Sequence, residues 1–524
     1  MVKNRRLLII GIDGAHPVIM RKVVEMGNLK NLKKVLDGGY SGTLWSTFPY
    51  ITPAAWTSFY TGVPPEKHGL LDFYLVRRNG SFRYLSYSDA LFPGFWEYLN
   101  DLGFRVILVN LPMLTRSYEI NGVIIPGFPA IKPMPYPNNI KHLIEKFDYK
   151  VHVEGFETRA LEKKDVLKEI IDIAEKRRAL SEYLLENFDW DLFFIVFTGT
   201  DLAQHVAISD YDALLSIYQI IDEFINVAFD HLIGDDGILI LSDHGFMPIR
   251  KAFYTNNWLI QKGFLKYRGG TKLSRLIDRL RMTSIGKHYG PIIEEKVWRF
   301  FLKESSKESF ISKLLERISG ISGFFSLQNV LRESKVVGFS SNMPIIYLFL
   351  YDESIREDLI IELQSIVDPD NNDGCIIKNI YTPATLGWES INNKYEEFFY
   401  IPSLIVELKP GYTALTQKIS SENKYLDLPP LQRHGDHSPR GVLAFYGKYI
   451  NRQTRVSEVI TNITKQVLWY MGVKVPRNIY GDLIPNMFCK EINGEEKLSV
   501  KAMKLIIRKR MKSPLVREGI KVGK

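Results

Sequence analysis

The run Gly237-Ile-Leu-Ile-Leu-Ser-Asp-His-Gly-Phe246 constrains this chain more than any other stretch. Ile238 to Leu241 is apolar without alternation, as in a strand covered on both faces, and such strands belong to parallel sheets. Parallel strands need long crossovers, usually helices. The run stops at Ser242-Asp243-His244-Gly245. Open α/β sheets place their ligands beyond the carboxyl ends of strands, and a carboxylate beside an imidazole suits a divalent ion. A buried Asp–His hydrogen bond is the structural alternative, so other strand ends have to be inspected for matching ligands.

They supply them. Arg5 to Asp13 reads as a strand that ends at Asp13-Gly14. Asp191 to Phe197 is apolar and is followed by Thr198-Gly-Thr-Asp-Leu-Ala-Gln-His205, where Asp201 and His205 are one helical turn apart. Arg433-His-Gly-Asp-His-Ser-Pro-Arg-Gly441 offers His434 or His437 ahead of a strand at Val442 to Tyr446. Thr52 precedes Pro53 at the start of a helical segment. Its hydroxyl is either an N-cap or a group held where a phosphate or alkoxide is favoured.

Phe104 to Leu111 is a further strand. Helical spacing covers Val18 to Leu36, Val166 to Asn187 (with Lys176, Arg177 and Arg178 on its polar side), Ala213 to Leu232 and Val456 to Tyr470. Strand–helix alternation predicts an α/β fold, a largely parallel sheet with helices on both faces. Residues 251–432 differ in texture. They contain a basic helical stretch at 258–320, a helix at Asp352 to Ile366 between strands, and a polar loop at Asp368 to Gly374. The expectation is a core of residues 1–250 and 433–488, an inserted α+β cap at 251–432, and a basic tail at 489–524.

Length bounds the chain to about two to four domains. At 45% hydrophobic and 24% charged residues, the composition is that of a soluble globular protein. Cys375 and Cys489 fit no zinc or disulfide spacing, which suits a reducing compartment. The apolar stretch after Arg6 runs straight into Asp13 and reads as the first strand rather than a signal peptide. No apolar run approaches the roughly 20 residues of a spanning helix, so a cytoplasmic protein is expected. From Lys501 to Lys524 nine Lys/Arg stand against Glu518 alone, so this tail holds +8 of the net +9. The body therefore gives no reason to expect a nucleic-acid partner. The tail reads as solvated, with contact to an anionic surface as the alternative.

Asp13, Thr52, Asp201, His205, Asp243, His244 and one of His434 or His437 make a set of three carboxylates, three imidazoles and a hydroxyl. Such a set suits two divalent ions, Zn²⁺ first and Mn²⁺ second, the usual clamp for displacement at phosphorus. The ordered motifs G-x-D-G, T-P-x-x-W-T-S-x-x-T-G, D-x-x-x-H, S-D-H-G-F and H-x-P-x-G resemble the alkaline phosphatase superfamily. Within it, the chain is similar to the type I phosphodiesterase/nucleotide pyrophosphatase family and its prokaryotic predicted phosphohydrolase or phosphomutase branch. The resemblance spans about residues 6 to 250 and 433 to 488.

This resemblance implies one ion held by Asp13, Thr52, Asp243 and His244, and a second held by Asp201, His205 and His437. His437 is preferred to His434 because it opens the H-x-P-x-G frame. Thr52 is then the nucleophile of a phosphodiesterase-like enzyme, acting on a small-molecule phosphate ester through a phosphothreonine. Phosphomutase or phosphomonoesterase chemistry at the same centre is the first alternative, and a non-catalytic binding protein the second. Two departures narrow it. Nucleotide pyrophosphatases hold a phosphoryl oxygen with an Asn after P-x-x-H-G-x-x-D, where this chain has Phe73. The sulfatase C-x-P-x-R frame is replaced by Thr52-Pro-Ala-Ala-Trp56. His16 is read as a surface-loop residue, and His68 as either a site or a turn residue.

Overall fold

The computed structural model describes residues 5–76, 82–159, 163–266, 333–340, 343–371, 374–388, 402–416, 424–429, 433–489, 492 and 497–512. The basic stretch beyond residue 266 and the end of the tail lie outside the described residues.

The central sheet has 8 strands among the described residues. They are β1 (Leu7–Ile12), β2 (Tyr40–Trp45), β3 (Val106–Leu111), β4 (Gly122–Pro126), β5 (Leu192–Phe197), β6 (Gly237–Leu241), β7 (Arg440–Gly447) and β8 (Gln453–Val459). Their order across the sheet is β8-β2-β7-β6-β1-β5-β3-β4. Neighbours are parallel except the two pairs made by β7.

The unbroken apolar runs are explained by cover on both sides. Leu7 and Ile9, Phe194 and Val196, and Leu239 and Leu241 face one apolar layer. The alternate residues Leu8 and Ile10, Phe193 and Ile195, and Ile238 and Ile240 face the other. The helix Thr52–Thr61, buried along its whole length, packs in the first layer with Ile460–Tyr470. Pro17–Gly27, Lys30–Gly38, Lys163–Asn187 and Tyr211–His231 pack in the second.

The reversed β7 follows from how the chain returns to the sheet. Residues Gly435–Ser438 pair antiparallel with Gly245–Pro248, just past the carboxyl end of β6. A strand entered from that edge can only run back down the sheet.

The described residues between 251 and 432 include an antiparallel 4-stranded sheet ordered Val336–Phe339, Ile345–Leu350, Leu404–Leu408 and Ile377–Tyr381. The helix Arg356–Gln364 lies in this region, as does a second sheet of Tyr412–Leu415, Lys251–Tyr254 and Leu426–Asp427. Ile345, Tyr347 and Leu404 share one apolar cluster with Trp56 of the helix Thr52–Thr61.

Four local expectations are corrected. Val18 to Leu36 is two helices, because Asn28 takes a left-handed φ of 50° and caps the first. Val456 to Val459 belongs to β8 rather than to a helix. Gly42 of β2 allows that pairing, since a Cβ there would come 2.1 Å from Val456 O, and the β-branched valines suit a strand. The tail is docked rather than solvated along its helix Ala502–Lys512. Ile506 packs with Val63, Leu91 and Phe92, and Lys509 Nζ lies 3.5 Å from the centre of the Tyr87 ring. Arg177, expected on a polar helix face, is 0% exposed.

Candidate active site

Asp13, Asp243, His244 and the Asp201–His205 turn sit where strands of the central sheet stop. Asp13 follows β1, and Gly14 then turns with φ +70°, at a point where a Cβ would meet the Phe246 ring at 2.7 Å. Asp243 and His244 follow β6. Asp201 and His205 lie on the helix Gly199–Ala207 after β5. His437 lies opposite Phe246 in the Gly435–Ser438 pairing.

Two clusters result, Asp13 with Asp243 and His244, and Asp201 with His205 and His437, each with ligand atoms within 4.8 Å of one another. In the first, His244 Nε2 lies 3.1 Å from Asp243 Oδ2, 3.7 Å from Asp13 Oδ1 and 3.3 Å from Thr52 Oγ1. In the second, His437 Nε2 lies 3.2 Å from His205 Nε2 and 3.3 Å from Asp201 Oδ1. The His244 and His437 rings stack at 3.7 Å and join the clusters. Phe246 packs edge-on against His205 and His437.

Of His434 and His437, it is His437 that stands in the cluster, 5% exposed, while His434 is exposed. Asp436 anchors that segment, accepting from Arg433 Nη2 at 3.1 Å, His437 N at 2.8 Å and the Thr413 hydroxyl.

The chemistry of these atoms fits divalent cations. Asp13 Oδ1 and Asp243 Oδ2 are buried and receive no hydrogen bond; Asp243 Oδ2 is near His244 Nε2 without a hydrogen bond's alignment. Burial, then the Asp201 charge, pushes the Asp13 carboxyl well above the ordinary range; burial, then Asp13 and Asp201, does the same to Asp243. Without positive charge, these carboxylates crowd at a cost. Burial also holds the imidazoles neutral: His205 and His244 fall well below their usual value and His437 falls to about 4. His244 Nδ1 faces Gly245 O at 3.2 Å and His205 Nδ1 faces Gly435 O at 3.1 Å. A carbonyl only accepts, so Nδ1 carries the proton and Nε2 presents its lone pair.

Thr52 is the first residue of its helix, whose N-cap is Ile51 with no side-chain cap. Its hydroxyl is therefore left to the cluster, and the N-cap reading fails. Trp56, one turn along, donates Nε1–H to Asp13 Oδ2 at 3.1 Å. Sequence reasoning did not assign Trp56, although its place four residues after Thr52 was a usable signal. It also passed over Ser242, whose Oγ donates to His244 O and accepts from Ala15 N. Gln204 was passed over too; its Nε2 donates to Gly14 O.

His16 is buried, and its Nδ1 accepts from Val18 N at the start of Pro17–Gly27. Phe73 offers no amide to a ligand, because its N–H is held by Asp72 Oδ1 at 2.6 Å and its ring meets Phe128.

His68 is wholly buried. Its Nδ1 accepts from Leu70 N at 3.1 Å, and its Nε2 lies 2.9 Å from Ser58 Oγ. Burial lowers its pKa to about 3. Because the folded pKa lies below the unfolded value, the unfolded chain binds the extra proton. The stability this residue contributes is complete above about pH 6.5 and falls as pH drops toward the folded pKa. Between pH 6.5 and 5 the loss is about 2 kcal/mol. Urea midpoints for wild type and His68→Gln at pH 7.5 and pH 5 should show a shallower acid loss in the variant. Parallel losses would remove His68 as the cause.

The family profile described as type I phosphodiesterase/nucleotide pyrophosphatase matches residues 7–309. Phosphonoacetate hydrolase from Sinorhizobium meliloti 1021, in complex with phosphonoformate, superposes with a TM-score of 0.53 at 15% identity, covering 84% of this chain and 90% of that one. Murine ectonucleotide pyrophosphatase/phosphodiesterase 5 gives 0.50 at 10% identity, covering 90% and 97%; its inactive form in complex with AMP gives 0.50 at 10%, covering 91% and 97%. At these identities the likeness is one of fold. No curated protein matches the chain. The acidic and imidazole clusters at the strand ends, the sheet that carries them and the matched profile agree: this chain belongs to the type I phosphodiesterase/nucleotide pyrophosphatase family, among the phosphohydrolases of the alkaline phosphatase superfamily.

Proposed function

We propose that the protein is a phosphodiesterase-like hydrolase of small phosphate esters, with Thr52 as nucleophile at a centre that would hold two divalent ions, Zn²⁺ or Mn²⁺. The observation that carries this is the Thr52 hydroxyl, unused by its helix and 3.3 Å from a neutral ligand nitrogen of His244. Asp13, Thr52, Asp243 and His244 would hold one ion, and Asp201, His205 and His437 the other. Bound there, the ions would supply Lewis-acid polarisation and make nearby hydroxyl and water more acidic.

The chain's own groups then divide the work. Thr52 Oγ forms the new bond to phosphorus as the ester alcohol departs, leaving a phosphothreonine that water hydrolyses. The positive end of the helix Thr52–Thr61 faces the transferring group. Trp56 and Gln204 keep Asp13 and the Gly14 turn in place.

The same reading takes residues 1–250 and 433–488 as catalytic core, 251–432 as cap and 489–524 as tail. Cap side chains reach the nucleophile's loop. Tyr50 Oη donates to Glu407 Oε1 at 3.3 Å, and Phe48 packs on Tyr381 at 4.9 Å. Beside them a narrow cleft is lined by Pro49, Ile51, Asp72, Met343, Ile345 and Tyr347. No described helix is long and apolar enough to cross a membrane. The low cysteine count favours a reducing cytoplasm as the place of action.

The test is turnover by the full chain loaded with zinc or manganese. Bis(4-nitrophenyl) phosphate should be cleaved fastest, ahead of 4-nitrophenyl phosphate and glucose 1-phosphate. Faster monoester cleavage would move the assignment to phosphomonoesterase, and transfer between sugar hydroxyls without phosphate release to phosphomutase. No turnover of any ester with either ion would sink the enzymatic reading.

A further inference from the structure

Arg177 is an anomaly of the fold. It lies on the buried stripe of the helix Lys163–Asn187, with Ile173, Ala174, Leu180 and Leu184, and is 0% exposed. No carboxylate comes within ion-pair distance of it among the described residues. A guanidinium buried without such a partner is costly, and an apolar side chain would fill the stripe more cheaply.

Its fork joins two backbone segments. Nη1 donates to Thr198 Oγ1 at 3.1 Å, while Nη2 donates to Val151 O at 3.0 Å and to Lys150 O at 3.5 Å. Thr198 is the N-cap of Gly199–Ala207, yet its side chain makes no cap bond. A threonine there normally satisfies the helix's own amides; this one is taken up by Arg177. The corner so fixed aims Asp201 and His205. Thr200, in the same turn, donates to Asp13 O and ties the corner to the first cluster.

We infer that Arg177 is a positioning residue: its rigid fork sets the strand-to-helix corner at Thr198, so that Asp201 and His205 stand preformed as half of a ligand set. The inference rests on reading Asp201, His205 and His437 as ligands of a divalent ion.

Calorimetric zinc titration of the chelator-stripped full chain tests it. Wild type should take up two ions. R177M should bind one as wild type does and the other about 10-fold or more weakly, the usual cost of losing a group that orients ligands. R177K keeps the charge without the fork, so the weakened site should stay weak. Full recovery in R177K would assign the effect to charge and overturn the positioning role. T198V removes the hydroxyl that Nη1 holds, should weaken the same site, and decides the matter if R177M does not fold. Two sites of wild-type affinity in folded R177M, or in T198V, overturn the inference. A wild type that binds no zinc overturns the metal reading instead.

Discussion

Thr52→Ala should lower kcat for the best ester by about 10⁴-fold or more, while leaving the fold and its thermal stability nearly untouched. Both halves come from one placement. Thr52 opens its helix, but the cap position is Ile51 and no side-chain cap exists. A capping threonine would cost about 1 kcal/mol on truncation; this one gives up only a hydroxyl 3.3 Å from His244 Nε2. Alanine is also the better helix former. The readout is paired: initial rates on bis(4-nitrophenyl) phosphate, and a melting curve of the same preparation. A variant that melts several degrees lower and keeps most of its rate would return Thr52 to a structural role. Full activity at full stability would move the nucleophile elsewhere.

Chelation should abolish activity and lower the melting temperature, and Asp243→Asn should diminish that temperature response. Asp13 and Asp243 are both buried; burial and then the Asp201 charge push the first carboxyl well above its ordinary range, and burial and then the Asp13 and Asp201 charges push up the second. Their crowding is relieved only when positive charge is bound. Ligand at about a thousandfold its Kd stabilises a fold by about 4 kcal/mol, which for a chain of this size corresponds to roughly 2–4 °C. In Asp243→Asn one buried charge is gone, so the stripped variant should melt at or above stripped wild type, yet gain less from zinc, through the Asp201, His205 and His437 site alone, and show no turnover. Melting curves of both proteins with EDTA and with excess zinc check this. Equal zinc-induced shifts in the two would remove Asp243 from the ligand set.

Where the sequence could be read, local chemistry was enough. A buried strand of a two-sided sheet admits almost no polar residue, so the first polar residue after each run marks the strand's end. Asp13, Asp243 and the Asp201–His205 turn stood out for that reason. Arg177 shows the limit. It falls on the same helical stripe as Ile173, Ala174, Leu180 and Leu184, so spacing placed it inward, but its charge led to a polar-face assignment. Val456 to Val459 shows another: its apolar residues fit helical spacing, and only the neighbouring β2, with no side chain at Gly42, drew it into the sheet.

The sequence by itself determined the α/β fold and the strand ends where the carboxylates and imidazoles gather, because burial and strand length act within a few residues. Only the tertiary structure decided between His434 and His437, since that rests on the pairing of Gly435–Ser438 with Gly245–Pro248 across nearly two hundred residues. It likewise decided the partners of Arg177, Thr198 and Val151, and the docking of the tail helix against Val63, Leu91 and Phe92. Each of these contacts joins different elements of the chain, and nothing in the local pattern of either segment encodes its partner.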